Sequence, residues 1–336
     1  MPARTVVTGG LGFIGSAFVR RLVARGVHVT NLDAGTYAAD RRRVPAGHDL
    51  LVDETADVTS DSLADLVARS KASVLVHFAA ETHVTRGETA ADDFFRTNVD
   101  GTGNVLRAAD RAGIDLVVHV STDEVYGPAL PRPFAEEDKA AGPGRATSAY
   151  ARSKALADDL ALAFDGGPRV IVVRPTNCFG PWQHPEKAIP RWITRALAGQ
   201  SLPVWGDGGY VRDWMFVDDV CRAIEILIEE RAPGGAYNVG PEGEPAPNLA
   251  IARSIARLAG RDEDAVYLTA YDRPDHDRRY SVDSSKMRAL GWAPEVGLEQ
   301  GLRATVEWYR THREWWEPLV ASAEALYDDE RRRAAR

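Results

Sequence analysis

The sequence predicts an α/β protein built on a doubly wound parallel sheet. Three observations predict it. A β-branched run, Thr5-Val6-Val7-Thr8, leads into Gly9-Gly10-Leu11-Gly12-Phe13-Ile14-Gly15 and then into apolar residues at helical spacing, Phe18, Val19, Leu22 and Val23. Strand-like and helix-like segments then alternate as far as Arg174, as crossovers between parallel strands require. Beyond Arg174 the segments shorten and glycine and proline crowd in, at Gly180-Pro181, Pro185, Pro190, Pro203 and Gly206-Asp-Gly-Gly209.

The first element is thus strand, glycine turn, helix. Gly9 allows the tight turn, Gly12 lets the backbone approach a diphosphate, and Gly15 lets the helix pack on the strand. The helix start, near Ser16, offers free N–H groups and a positive dipole end. The second strand, Val27 to Leu32, ends in Asp33, about 20 residues past the glycines, where an acid takes an adenosine ribose diol. A dinucleotide site follows. A carboxylate at Asp33 repels a 2′-phosphate and so favours NAD over NADP. Arg41-Arg42-Arg43 argues the other way, but a short loop run of charges reads as a solvated face.

The pattern repeats. Asp49 to Val52 reads as a strand, with Asp57 after it where an adenine contact fits. Ser60 to Ser70 reads as a helix, Ser73 to Phe78 as a buried strand followed by the small pair Ala79-Ala80, and Thr89 to Gly113 as a long helix. Ile114 to Val120 is another strand. Ligands bind at the carboxyl ends of such strands, and Ser121-Thr122-Asp123-Glu124 stands at one. Helices follow at Ala149 to Phe164, Asn248 to Ala259 and Leu298 to Tyr309, with a strand at Arg169 to Arg174. The tail from Asp328 is charged and expected to fray.

Tyr150 and Lys154 lie one helical turn apart on one face. An ammonium beside a phenol favours the phenolate, which makes Tyr150 a candidate base toward an alcohol, with Thr122 on the same oxygen. The alternative is a surface aromatic and a solvated lysine. Asp123 and Glu124 offer an acid and a base together, provided the chain turns there. Adjacent residues on a regular strand point to opposite faces, and the alternative is an exposed acidic turn.

Composition bounds the reading. Among 336 residues 44% are apolar and 27% charged, the net charge is −8 and the pI near 5.6. A general nucleic-acid surface is not expected. Two cysteines, Cys178 and Cys221, offer no disulfide framework and fit a reducing, cytoplasmic setting. No signal-peptide core and no run of 18 apolar residues is seen, so no membrane partner is expected. His83 lacks a second ligand at metal spacing, so no metal is expected.

These residues resemble one family. The chain is similar to extended short-chain dehydrogenases/reductases and, within them, to NDP-glucose 4,6-dehydratases, most like those acting on dTDP-glucose. The resemblance rests on Thr8 to Gly15, His77 to Val84, Ser121 to Gly127, Tyr150 with Lys154, Arg174 to Pro190, Arg212 to Trp214, Tyr237 to Gly240 and Asp272 through Tyr280. The Asp123-Glu124 pair separates it from the related epimerases and decarboxylases. A UDP-glucose 4,6-dehydratase and a 4-epimerase or decarboxylase remain the alternatives, as does a catalytically silent NAD-binding regulator.

The resemblance implies a Rossmann-like NAD-binding domain over 1–174, a nucleotide-sugar region over 175–330 interleaved with returns to the sheet, and a charged tail over 331–336. It implies a homodimer through residues 90–112 and 149–165. Catalysis falls to Thr122, Asp123, Glu124, Tyr150 and Lys154. The cofactor falls to Gly9, Gly12, Phe13, Ile14, Gly15, Asp33, Asp57, Ala79, Ala80, Asn98, Tyr150 and Lys154. The nucleotide sugar falls to Thr82, Asn177, Glu186, Lys187, Trp205, Arg212, Asn248, Asp272 and His276. Departures from the family pattern are Trp205 for a tyrosine, Cys178 for an asparagine, Thr85 and Gly87 after His83-Val84, and Asp275 before His276.

Overall fold

The computed structural model describes residues 1–82, 91–127, 132–138, 148–242, 246–270, 278–279 and 281–334, with side chains to Asp328. His83, Thr85, Gly87, Asp272, Asp275 and His276 lie outside the described residues.

Thirteen strands are described: β1 Arg4–Thr8, β2 His28–Asp33, β3 Leu51–Thr55, β4 Val74–His77, β5 Leu116–Val120, β6 Arg169–Pro175, β7 Asn177–Phe179, β8 Leu202–Trp205, β9 Val211–Arg212, β10 Trp214–Phe216, β11 Gly235–Val239, β12 Ala246–Pro247 and β13 Val266–Thr269. Seven form one sheet in the order β11-β6-β5-β4-β1-β2-β3, and every pairing in it is parallel. This is the doubly wound sheet that the alternating pattern predicts. The order reverses between β1 and β4, so a crevice opens above their carboxyl ends.

Parallel strands covered on both faces carry near-continuous apolar runs. β4 and β5 show this, being buried at every position. Alternate residues feed two cores. On one face Val7, Val76 and Val118 pack with Phe18 and Leu22 of the helix Phe13–Ala24 and with Val220, Ile224 and Leu227 of the helix Val217–Glu229. On the other, Val6, Leu75 and Val117 meet Val67 of the helix Leu63–Ser70, Val105 and Leu106 of Gly101–Arg111, and Ala161 of Ala149–Leu162. The stretch expected as one long helix is Ala91–Phe95, a π-helical turn Arg96–Asp100, then Gly101–Arg111.

A third core lies C-terminal. The helices Ala188–Leu197, Asn248–Leu258 and Leu298–Thr311 gather around Phe179, Ile193, Ile251, Leu302 and Tyr309. β8 pairs with β13 and β7 with β10 beside them. Two elements late in sequence return to the large sheet: β11 extends it, and the helix Val217–Glu229 covers it. The stretch from Asp328 continues the helix Arg313–Ala334, which buries Trp315 and Trp316 in the third core and pairs Glu324 with Arg191 at 2.8 Å.

Candidate active site

The glycine turn leaves β1 with Gly9 at φ +72°, where a Cβ would stand 2.6 Å from the Ala79 nitrogen after β4. At Gly15 a Cβ would stand 2.3 Å from the Gly9 carbonyl, so the helix seats on the turn as the spacing predicts. Gly12 caps the helix with only the Gly9 oxygen, at 3.2 Å, near its missing Cβ, and no side chain caps the helix N–H groups. A bare helix start behind a glycine cradle suits a diphosphate. Gly10, given no role by the sequence, is pinned as well. Its N–H donates to Asn31 Oδ1 at 2.9 Å, where a Cβ would collide.

Asp33 closes this end. Its two carboxylate oxygens accept from the Leu11 and Gly35 amides, each at 2.9 Å. Burial pushes its pKa up, and these bonds oppose that. The arginine run departs from its expected solvation. Arg41 pairs with Asp53 and Arg42 with Asp40, but Arg43 is buried. It donates to the Leu11 carbonyl at 2.9 Å and to the Ala38 carbonyl, and its guanidinium lies 5.4 Å from the Trp315 ring. The tryptophan arrives from the C-terminal helix, which no local pattern ties to residue 43.

A cavity of about 350 Å³ runs from this cradle across the carboxyl ends of the strands. Gly9, Gly12, Phe13, Ile14, Gly15, Asp33, Asp57, Ala79, Ala80, Tyr150 and Lys154 all line it, as does Thr82. Asn98 does not. Its amide donates to the Glu81 carbonyl at 3.1 Å and to Ser153 Oγ at 2.8 Å, and its oxygen accepts from the Glu81 amide. Its side chain is taken up in bracing the chain after β4.

A second cavity of about 210 Å³ adjoins the first, lined by Trp205, Arg212 and Asn248. The two share Glu124, Asn177, Cys178, Gln183, Glu186 and Lys187. Six of the residues expected at a nucleotide sugar, Asn177, Glu186, Lys187, Trp205, Arg212 and Asn248, thus stand in the second cavity or at the junction together with Glu124. Cys178 is half-buried against the core, and burial pushes its thiol pKa up. It sits at the junction, with its Sγ donating to the Thr176 carbonyl. Tyr327, missed in the sequence, closes the far wall, edge-on to Trp205 at 5.7 Å with Arg191 3.6 Å from its ring.

At the junction the chain leaves the strand. After β5 it enters one turn of 3-10 helix, Asp123–Tyr126. Thr122 caps it, its Oγ1 accepting from the Glu124 amide at 3.3 Å. The two acids therefore part in environment. Glu124 stands on the wall of both cavities. Asp123 lies just beneath, 1% exposed, with its Oδ2 lacking a hydrogen-bond partner among the described residues. Burial, followed by the charge of Glu124, pushes the Asp123 carboxyl up to about 8. It is a protonated acid at neutral pH.

The helix Ala149–Leu162, capped by Ser148, brings Tyr150 and Lys154 onto the first cavity. Lys154 Nζ donates to the Val120 carbonyl at 2.8 Å. Burial pushes it down to about 8, with Asp158 opposing. Tyr150 differs from expectation. Burial and then the charge of Glu124 push its phenol above the ordinary range, with a hydrogen bond from Thr122 opposing. Enclosure outweighs Lys154, whose charge is directed at the Val120 carbonyl, so Tyr150 is a neutral phenol in this form.

The NAD dependent epimerase/dehydratase family model matches residues 5–240. The chain is 42% identical over 333 residues to a dTDP-glucose 4,6-dehydratase of Streptomyces niveus, covering 96% of this chain and 97% of the relative. It is 44% identical over 329 residues to one of Streptomyces griseus, covering 95% and 98%. A crystal structure of a dTDP-glucose 4,6-dehydratase from Streptomyces venezuelae with NAD bound superposes with a TM-score of 0.87 at 41% identity, over 94% of this chain and 99% of that one. A UDP-glucose 4-epimerase of Thermus thermophilus, solved with NAD, superposes at 0.82 and 29% identity. With the cradle, the parallel sheet and the Tyr150–Lys154 helix in place, the chain belongs to the NAD dependent epimerase/dehydratase family.

Proposed function

We propose that this protein removes water from dTDP-glucose to give the 4-keto-6-deoxy sugar, with NAD resident in the first cavity. The observation that carries the reading is the divided acid pair: Glu124 on the wall joining the two cavities, Asp123 buried and protonated beside it. Elimination needs a base for C5 and an acid for the 6-hydroxyl in addition to the base at the 4-hydroxyl, whereas epimerisation at C4 needs only the last. The relatives' names supply the nucleotide.

The first cavity fits the dinucleotide. Gly9, Gly12 and Gly15 leave room for a diphosphate, the bare helix start faces it, and Asp33 is set for a ribose diol. NAD, when bound, supplies a hydride acceptor that can return the hydride within one turnover. The residues do the rest. Tyr150, hydrogen-bonded by Thr122, takes the proton of the sugar 4-hydroxyl once it has given up its own, a step that the positive charge of bound NAD together with Lys154 favours over the neutral phenol. Oxidation at C4 acidifies the C5 proton, which Glu124 removes. Asp123 gives its proton to the departing 6-hydroxyl, so the C6–O bond breaks and one water leaves. The hydride comes back at C6 and a proton at C5, with no net oxidation.

In the second cavity Arg212, suited to phosphate by its planar donors, holds the diphosphate, while Trp205 offers a face for the base. Asn177, Glu186, Lys187 and Asn248 complete the walls, with Thr82 across the first cavity. Two copies pair through residues 90–112 and 149–165, where Leu162 stands 38% exposed, and the dimer works in the cytoplasm. No helix among the described residues is long and apolar enough to cross a membrane.

The test is turnover by purified protein of dTDP-glucose and UDP-glucose, read by mass spectrometry without added NAD. Loss of one water, faster from the dTDP sugar, supports the reading. A faster UDP sugar reassigns the nucleotide. An unchanged mass with an epimerised sugar makes it a 4-epimerase.

A further inference from the structure

The buried ion pair Asp158–Arg174 lines neither cavity, and the chemistry above gives it no part. Asp158 follows Lys154 by one turn and Tyr150 by two on the helix Ala149–Leu162, so the three share a face. Its Oδ2 accepts from Arg174 Nε at 2.9 Å and from Nη2 at 2.6 Å. Arg174, on β6, donates through Nη1 to the Tyr126 hydroxyl at 2.7 Å and to the Glu136 carbonyl at 3.2 Å. Tyr126 ends the turn that bears Asp123 and Glu124. Its hydroxyl donates to Asn238 Oδ1 on β11 at 2.6 Å, and its ring stacks on Phe134 with centroids 4.8 Å apart.

A buried ion pair is a poor route to stability, because desolvating two charges cancels most of their attraction. Its placement argues for another use. A continuous chain of hydrogen bonds runs from the helix of Tyr150 and Lys154, through Arg174, to the turn of Asp123 and Glu124. We infer that Asp158, Arg174 and Tyr126 are positioning residues that lock this turn against this helix, and that Asp158 supplies the negative charge that keeps Lys154 an ammonium. The inference rests on the dehydratase reading.

The surroundings of Lys154 agree. From β4 and β5 it faces His77 and His119, both buried and held neutral, and it meets the Val120 carbonyl. Tyr150 is one turn before it. Asp158 is the acid whose charge reaches it.

The test uses Asp158→Asn and Tyr126→Phe in the full chain. One readout needs no turnover: competitive acetylation of Lys154 across pH, followed by mass spectrometry. In Asp158→Asn the apparent pKa of Lys154 falls by about 1 unit, and the alkaline limb of kcat moves down with it. Tyr126→Phe leaves Lys154 unmoved but lowers kcat roughly tenfold, with KM within about twofold, because the turn is less well held. A purely structural pair would lower Tm and leave both the Lys154 titration and kcat as in the parent, and that result overturns the inference. If Asp158→Asn does not fold, Tyr126→Phe decides alone, since it keeps the stacked ring and the ion pair; an unchanged kcat overturns the claim. If the parent removes no water, the functional reading falls, and the Lys154 titration alone supports or sinks the role of Asp158.

Discussion

Asp123 and Glu124 are adjacent in the chain, yet one is buried beneath the wall that the other forms. The 3-10 turn capped by Thr122 divides them. The division lets the two carboxyls hold different protonation states, one donor and one acceptor, which elimination of water requires.

Asp123→Asn is expected to lower kcat roughly 100-fold or more while leaving nucleotide-sugar binding nearly intact, since an amide cannot give up the proton. It is also expected to stabilise the fold. The folded carboxyl titrates near 8, far above its unfolded value. Its stabilising contribution is therefore complete at acid pH and is lost as pH rises toward 8. The variant should melt a few degrees above the parent at pH 8, by roughly 2–5 °C, and the difference should vanish near pH 4. Calorimetry at the two pH values checks the sign.

The pH profile of turnover follows from the same groups. Asp123 and Lys154 both act in their protonated forms, and both titrate near 8. Activity should fall as pH rises through that value. Because both titrate in the same range, the alkaline limb reports the two together. In Lys154→Arg, whose side chain stays charged, the limb should become shallower, which a kcat profile from pH 6 to 10 would show.

Gly15→Ala is expected to displace the dinucleotide. The new Cβ would press on the Gly9 carbonyl at 2.3 Å. The turn must shift, at a cost of about 1–3 kcal/mol, and the cradle shifts with it. Protein denatured after purification should release far less NAD than the parent, as measured by its absorbance.

Tyr327→Ala is expected to raise KM for the nucleotide sugar roughly tenfold with a smaller change in kcat. Its ring lines the second cavity against Trp205, away from the first cavity where Tyr150 and Lys154 stand. Tyr327→Phe, which keeps the ring over Arg191, should recover most of the loss in steady-state assays.

Much of this was legible in the sequence because its signals are local. The glycine turn and Asp33 carry their reasons within a few residues, and the Tyr150–Lys154 spacing needs only a helix. The alternation of strands and helices gave the doubly wound sheet in the same way. What escaped depends on distant partners. Arg43 looked solvated because Trp315 reaches it from a helix near the other end of the chain. The stretch from Asp328 looked like a fraying tail because most of its residues are charged, yet it continues a helix whose earlier turns are anchored by Arg191 and the third core. The engagement of Asn98 by Glu81 and Ser153 cannot be read from spacing either. The neutral Tyr150 reflects enclosure, which no pair of residues displays.

The most direct measurement follows a deuterium placed at C4 of dTDP-glucose. After incubation with the protein, NMR and mass spectrometry of the product locate the label. If Tyr150, Glu124 and Asp123 act as described, the product has lost one water and carries the deuterium on C6 of the same molecule. Product with an intact 6-hydroxyl, or deuterium washed into solvent, would contradict the account.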